Sequence, residues 1–211
     1  MPKQSINVVD DAGLRAERIH YLEMVPLHDH LPINVDLHSA LEATMISALG
    51  SPRLPLTKVD QPDHASPLVQ ALSEFSVVSA HIHVTGLRPA INSLKSALAA
   101  AFKSELSSGH NLESVLGTAG MLSVRLRNPT SGRPSTHISN HSWGTAIDFK
   151  ILGTAAPGNT GDKIPRFIAV LIPFFNAAGW FSGVGFHDAM HFEVSDGVIR
   201  QWARDGSFRP K

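Results

Sequence analysis

The sequence predicts an α+β fold: a small, mainly antiparallel sheet with helices over one side, preceded by an N-terminal helical extension. Three observations lead there. Short stretches of two-residue alternation occur in the second two thirds of the chain, apolar stripes of helical period stand among them, and the order of the two kinds is mixed. A chain of 211 residues with 43% hydrophobic and 17% charged content has the composition of one globular domain with an added segment. The expected division is residues 1–70 for the helical extension and 71–211 for the main domain.

Taken in order, Asp36 reads as the N-cap of a helix whose stripe is Leu37, Leu41, Met45, Ile46 and Leu49, with Gly50 as its stop. Residues 51–67 hold Pro52, Pro55, Pro62 and Pro67 among polar residues, a loop that leads into a short helix capped by Ser66. The boundary is expected here. Residues 77–85 read as a strand, and Gly86-Leu-Arg-Pro89 opens a long helix with Ile91, Leu94, Leu98, Phe102 and Leu106 at helical spacing. Residues 121–127 alternate, which predicts a strand with Arg125 and Arg127 on its polar face. Residues 143–151 predict another strand, 164–178 an apolar helix interrupted by Pro173, and 189–195 a last strand. The helices from Arg88 and Ile164 are expected to cover the apolar side of the sheet.

Composition excludes several functions. Lysine plus arginine, at 18, equals aspartate plus glutamate, at 18, so no net field is available for a nucleic-acid backbone or an anionic membrane. No stretch approaches the ~18 apolar residues of a membrane span. Cysteine is absent, which removes disulfides and thiolate metal sites and leaves His, Asp and Glu as the strong ligands for a transition metal. The first eleven residues hold no apolar run of signal-peptide length, so the expectation is synthesis in the cytoplasm without a signal peptide. Oligomeric state is not written in the sequence.

One constellation carries chemistry. In His141-Ser-Trp-Gly144-Thr-Ala146-Ile-Asp148 an imidazole and a carboxylate lie seven residues apart, with a glycine that permits a bend before the strand. Along that strand Ala146, Asp148 and Lys150 share one face and Ile147, Phe149 and Ile151 the other, so Asp148 points away from the core beside a small Ala146. Asp188-Ala-Met-His191-Phe-Glu193, after the turn at Gly183-Val-Gly185, supplies a third ligand in His191. Three protein ligands with a fourth position for water are the arrangement of catalytic zinc, and Zn2+ suits imidazole and carboxylate donors. Asp188, three residues before His191, is placed as a base near that water.

These two segments, Ser139-Asn-His141-Ser-Trp-Gly144-Thr-Ala146-Ile-Asp148 and Asp188-Ala-Met-His191-Phe, resemble the zinc peptidases that include D-alanyl-D-alanine carboxypeptidases and phage L-alanyl-D-glutamate endopeptidases. The wider group also contains lysostaphin-type enzymes and the hedgehog signalling domain. The resemblance spans roughly residues 77–194. It implies zinc held by His141, Asp148 and His191, with Asp188 as the catalytic acid and base. It further implies an arginine upstream of the first histidine that binds the substrate carbonyl, with Arg125 in the matching place and Arg127 as the fallback. Ser139 matches a serine that commonly precedes the first ligand, in either a substrate contact or a turn hydrogen bond. The implied substrate is the peptide of bacterial peptidoglycan. Aspartate at 188 resembles the endopeptidase branch, a lysin or antibacterial effector that reaches the wall after lysis or by dedicated secretion. The alternatives are a D,D-carboxypeptidase, a metal-dependent enzyme acting on another amide such as a soluble dipeptide, and a zinc-containing binding module without turnover; Asp188 argues against the last.

The other candidates have blander readings. His28-Asp-His30 lies in a proline-flanked loop and His81-Ile-His83 on a strand without a nearby third ligand, and His137 and His187 read as solvated loop residues beside the motif. Glu193 shares a face with His191, as a partner of that histidine or an ordinary strand carboxylate. Trp143, Trp180 and Phe186 read first as core residues.

Overall fold

A computed structural model describes residues 11–52, 72–127, 135–155 and 162–208, without the side chains of 72–75. The proline-rich stretch from 53 onward, the helix expected at Ser66 and the boundary at 70 lie outside the described residues. The fold is α+β. Its helices are α1 (Asp11–Leu22), α2 (Glu42–Leu49), α3 (Arg88–Ser107), α4 (Arg166–Ala177) and α5 (Asp196–Arg204). Its strands are β1 (Met24–Pro26), β2 (Leu72–Ser79), β3 (Ile82–Leu87), β4 (Leu116–Gly120), β5 (Ala146–Ile151), β6 (Lys163–Pro165), β7 (Trp180–Ser182) and β8 (His191–Val194).

Among the described residues every pairing is antiparallel, as expected, and the strands form three small sheets. The main sheet runs β4-β5-β8-β7, and the pairs β1-β6 and β2-β3 stand apart from it. Strand β5 follows the two-residue period: Ile147, Phe149 and Ile151 are wholly buried, while Asp148 and Lys150 are half-buried on the opposite face. Behind the buried face Phe149, Phe175 and Phe192 meet ring to ring, with centroids 4.7 to 5.8 Å apart. Helix α3 joins this core, and its Ser93 accepts the Trp180 indole N–H at 2.9 Å.

Helix α4 continues through Pro173 without the expected interruption. An interior proline costs roughly 3 kcal/mol. Burying Phe167, Ile168, Leu171, Ile172 and Phe175 at roughly 1.5–3 kcal/mol each outweighs it.

Elsewhere the expected elements shift. Asp36 has φ of 58°, so it cannot take the extended N-cap conformation; α2 begins at Glu42 and does end at Gly50, whose φ is 86°. The preceding loop is held elsewhere, since Asn34 donates to the Ser182 carbonyl at 2.9 Å and accepts from Ser182 N–H at 2.8 Å. The strand expected at 77–85 is a hairpin that turns at Ala80-His81. Residues 121–127 do not belong to the sheet. After Gly120, at φ of 130°, the chain leaves β4 as an irregular ribbon beside residues 137–141. Its burial does not alternate: Val124 is buried, Leu122 half-buried and Leu126 exposed. No described helix is long and apolar enough to cross a membrane.

Residues 11–52 contribute to the same core. Tyr21, Met45 and Leu49 are wholly buried in it, and Trp143 donates its indole N–H to the Gly50 carbonyl at 2.8 Å.

Candidate metal centre

Strands β5 and β8 place the first two groups. In their antiparallel register Asp148 lies opposite His191 and Ala146 opposite Glu193, so all four project from one face. The apolar neighbours Ile147 and Phe192 project from the other, into the core.

His141 arrives on a short 3-10 helix, Asn140–Trp143, that ends in a left-handed turn at Gly144, φ 63°. A side chain at Gly144 would be strained, and its Cβ would stand 2.7 Å from Gly86 Cα. That closeness lets the Gly144 carbonyl accept the Leu87 N–H at 2.9 Å, tying the ligand loop to the start of α3. Opposite it, the pairing of β4 with β5 is irregular between Thr118 and Gly120. This bulge turns the Met121 carbonyl toward His141 Nδ1, 2.8 Å away.

A carbonyl can only accept, so His141 Nδ1 carries the hydrogen and Nε2 faces inward with its lone pair. His191 is oriented by the same logic with its nitrogens exchanged: Nε2 donates to Glu193 Oε2 at 3.0 Å and Nδ1 faces inward. The inward atoms form a tight triangle. His141 Nε2 lies 3.2 Å from Asp148 Oδ1 and 3.3 Å from His191 Nδ1, and the third edge is 3.0 Å. A tetrahedral zinc with ligands at 2.0–2.1 Å separates them by about 3.3 Å. Three electron-pair donors converging at this distance require a cation or a proton among them, so the donor set fits a metal. Among the described residues this is the one group of three such side chains close enough to share an ion.

The electrostatics of the three side chains point the same way. Burial disfavours charge on His191, but the carboxylates of Asp148 and Glu193 hold its proton and push its pKa up to about 10. Burial likewise opposes ionisation of Asp148, and the neighbouring His141 and His191 overcome it, holding the carboxyl below the usual range. A proton on His191 Nδ1 and a metal would therefore compete for the same position.

Asp188 follows the 3-10 turn Gly183–Phe186 and is half-buried. Its backbone N–H donates to the Gly183 carbonyl at 3.0 Å and its carbonyl accepts from His191 N–H at 3.1 Å. The approach needs glycine at 183, where an added Cβ would stand 2.5 Å from the Asp188 carbonyl oxygen. Burial raises the Asp188 carboxyl above its ordinary range, the charge of Asp148 adds to this, and His191, His141 and Arg125 oppose it. Asp188 thus stands within electrostatic reach of the triangle, and Arg125 within reach of Asp188. The backbone of Arg125 is fixed by Ser142, whose Oγ accepts its N–H at 3.0 Å and donates to its carbonyl at 2.9 Å. Arg127 is exposed, and its Nε donates to the Ile138 carbonyl at 3.3 Å. Ser139 is buried and gives its backbone N–H to the Arg125 carbonyl at 3.0 Å, so it joins the two segments.

The bland readings divide. Trp143 and Trp180 are wholly buried, whereas Phe186 is half exposed with its ring 5.8 Å from that of His191. His28 pairs with Asp29 at 3.1 Å on the surface, and His81 and His83 lie exposed on the β2-β3 hairpin. His137 sits exposed beside Glu42, and His187 is exposed in a left-handed conformation. The sequence reading overlooked Asn140, Ser142 and the Met121 carbonyl. Only Asn140 and Ser142 carried a signal, as polar residues flanking His141.

Fold and site define a class: an α+β protein with a largely buried His/Asp/His group able to hold a metal. Residues 133–194, which contain all three, match the model of a family described as D-alanyl-D-alanine carboxypeptidase. The match covers less than a third of the chain and is a likeness to that family. No curated protein and no solved structure matches the chain.

Proposed function

We propose that the protein is a zinc peptidase that hydrolyses peptide bonds in bacterial peptidoglycan as an endopeptidase. The observation that carries this reading is the triangle of His141 Nε2, Asp148 Oδ1 and His191 Nδ1, whose edges of 3.0–3.3 Å suit a tetrahedral ion. When bound, zinc would supply Lewis-acid chemistry, polarising an amide carbonyl and making water nucleophilic near neutral pH.

The remaining work falls to the chain. Asp188, raised by burial, takes the proton from the attacking water and delivers it to the departing amine. Arg125 supports the negative charge that develops on the carbonyl oxygen, and Ser142 holds its backbone in place. Both arginines donate to a backbone carbonyl at 3.3 Å, Arg125 to Leu126 and Arg127 to Ile138, and the preference for Arg125 rests on its lesser exposure and its electrostatic reach to Asp188. Phe186 stands exposed at the edge of the centre, where it can line a peptide.

Endopeptidase action rests on the likeness of Asp188 to the endopeptidase branch. A second reading, release of a terminal D-alanine, is favoured by the description of the matching family. Mass spectrometry of purified peptidoglycan after digestion separates them. Cleavage within stem or cross-link peptides is expected; release of D-alanine alone supports the second reading, and an undigested wall in the presence of zinc contradicts both.

A further inference from the structure

Beside the metal ligands lies a buried polar chain that the proposed chemistry does not use. Glu193 is 4% exposed and Asn140 is 2% exposed. A single carboxylate oxygen, Glu193 Oε2, accepts from His191 Nε2 at 3.0 Å and from Asn140 Nδ2 at 2.8 Å. The same amide nitrogen donates to the Ala40 carbonyl at 3.2 Å. Both partners of that nitrogen are acceptors, which fixes the orientation of the amide.

We propose that Glu193, held by Asn140 against the backbone of Ala40, is a positioning residue that dictates which nitrogen of His191 faces the metal. The inference rests on the reading of His141, Asp148 and His191 as metal ligands. Two physical points support it. Glutamate is a costly choice for a nearly closed site opposite Ala146, where an apolar side chain would pack without desolvating a charge. What glutamate supplies is an acceptor that commits the hydrogen of His191 to Nε2, leaves Nδ1 bare and increases its basicity.

The far end of the chain is also secured. Leu41 N–H donates to Asp196 Oδ1 at 3.1 Å, the His38 carbonyl accepts from Asp196 N–H at 3.0 Å, and Glu42 Oε2 accepts from Ile138 N–H at 2.9 Å. Residues 38–42 thereby brace the segment leading to His141 and the segment following β8. Ala40 is the fixed point from which Asn140 aims Glu193.

The test measures metal affinity and histidine state, both independent of turnover. Zinc dissociation constants are obtained at neutral pH by chelator competition for the full chain and for Glu193→Ala, Glu193→Gln and Asn140→Ala. Nitrogen NMR of the zinc-loaded proteins reports whether Nδ1 or Nε2 of His191 binds. Glu193→Ala is expected to weaken zinc by about 10- to 100-fold. Glu193→Gln, which keeps the volume and one acceptor, is expected to lose less, and Asn140→Ala to mix the two nitrogen states of His191. If the alanine variant at 193 does not fold, the glutamine and Asn140 variants carry the test. Tight zinc binding by the parent chain, with Glu193→Gln and Asn140→Ala within twofold of it and His191 unchanged, would overturn the positioning role. A parent chain that takes no zinc removes the metal reading itself, and the positioning role with it.

Discussion

The two faces of strands β5 and β8 share one backbone and have opposite requirements. On the inner face Ile147, Phe149, Phe192 and Val194 are essentially free of water, and Phe149 and Phe192 meet Phe175 of α4, which in turn meets Trp180 of β7. On the outer face Asp148, His191 and Glu193 bring acceptors and titratable groups together, at a cost in desolvation that a packing residue would not incur. Alternate residues thus hold the strands together or equip them for chemistry. The comparison implies that substitutions on each face should fail in different measurements.

The largest separation is expected at the outer face. Asp188→Asn preserves shape and removes the base, so turnover should fall by about 10²–10⁴ with zinc content unchanged. Parallel rate and metal assays check it; near-normal turnover at neutral pH would remove Asp188 from its role.

The inner face should show the reverse. Phe149 is wholly buried between Phe175 and Phe192, and Phe149→Ala is expected to destabilise the fold by about 3–5 kcal/mol in denaturant titration. The fraction that remains folded should bind zinc as the parent does. Weakened zinc binding by folded Phe149→Ala protein would mean that the two faces are not separate.

A loss of about 10²–10³ in kcat is expected for Arg125→Ala, with a smaller change in KM, because the charge it meets develops in the transition state. Arg127→Ala should do less, as its side chain is exposed while Arg125 is half-buried and within electrostatic reach of Asp188. The opposite ranking would transfer the role to Arg127.

A change of pH is the gentlest probe. In metal-free protein the pKa of His191 rises from 6.5 to about 10, so its contribution to stability is full below 6.5 and is lost as the pH climbs toward 10. Asp148 is shifted down from 3.8, so its contribution is present above that value and is lost as the pH falls below it. Zinc affinity should move the other way from the His191 contribution, strengthening as pH rises because the metal displaces that proton. Urea titrations and zinc titrations of the same samples at pH 6 and pH 9 read both slopes; slopes of equal sign would contradict the competition between proton and metal.

How much of this was legible depended on whether a residue's partner was near in sequence. His141, Asp148, His191 and Asp188 were readable because a loop, a strand and a turn confine them to two short segments. The alternation of Ile147 and Phe149 with Asp148 gave the faces of β5 correctly, the Gly50 stop gave the end of α2, and the stripe of α3 is buried through Leu98 but leaves Phe102 half-buried and Leu106 exposed. Strands β2 and β4 were hidden by local chemistry, and β1, β6 and β7, of three residues each, are too short to show alternation. The hairpin turn at Ala80-His81 carries none of the usual glycine or asparagine signals, and Gly117 and Gly120 disguise β4. In 121–127 the alternation was real, but the turn at Gly120 takes the segment out of the sheet. The partners of the site, Met121 for His141 and Asn140 with Ala40 for Glu193, lie 20 to 100 residues away, and only the folded chain brings them together.

The most direct measurement is a zinc titration of metal-free protein, followed by elemental analysis, for the parent chain and for His141→Ala, Asp148→Ala and His191→Ala. The account predicts about one zinc per chain for the parent, because one three-ligand group is present among the described residues, and none retained by any variant. A parent that takes up no zinc, or a variant that keeps a full equivalent, would contradict it.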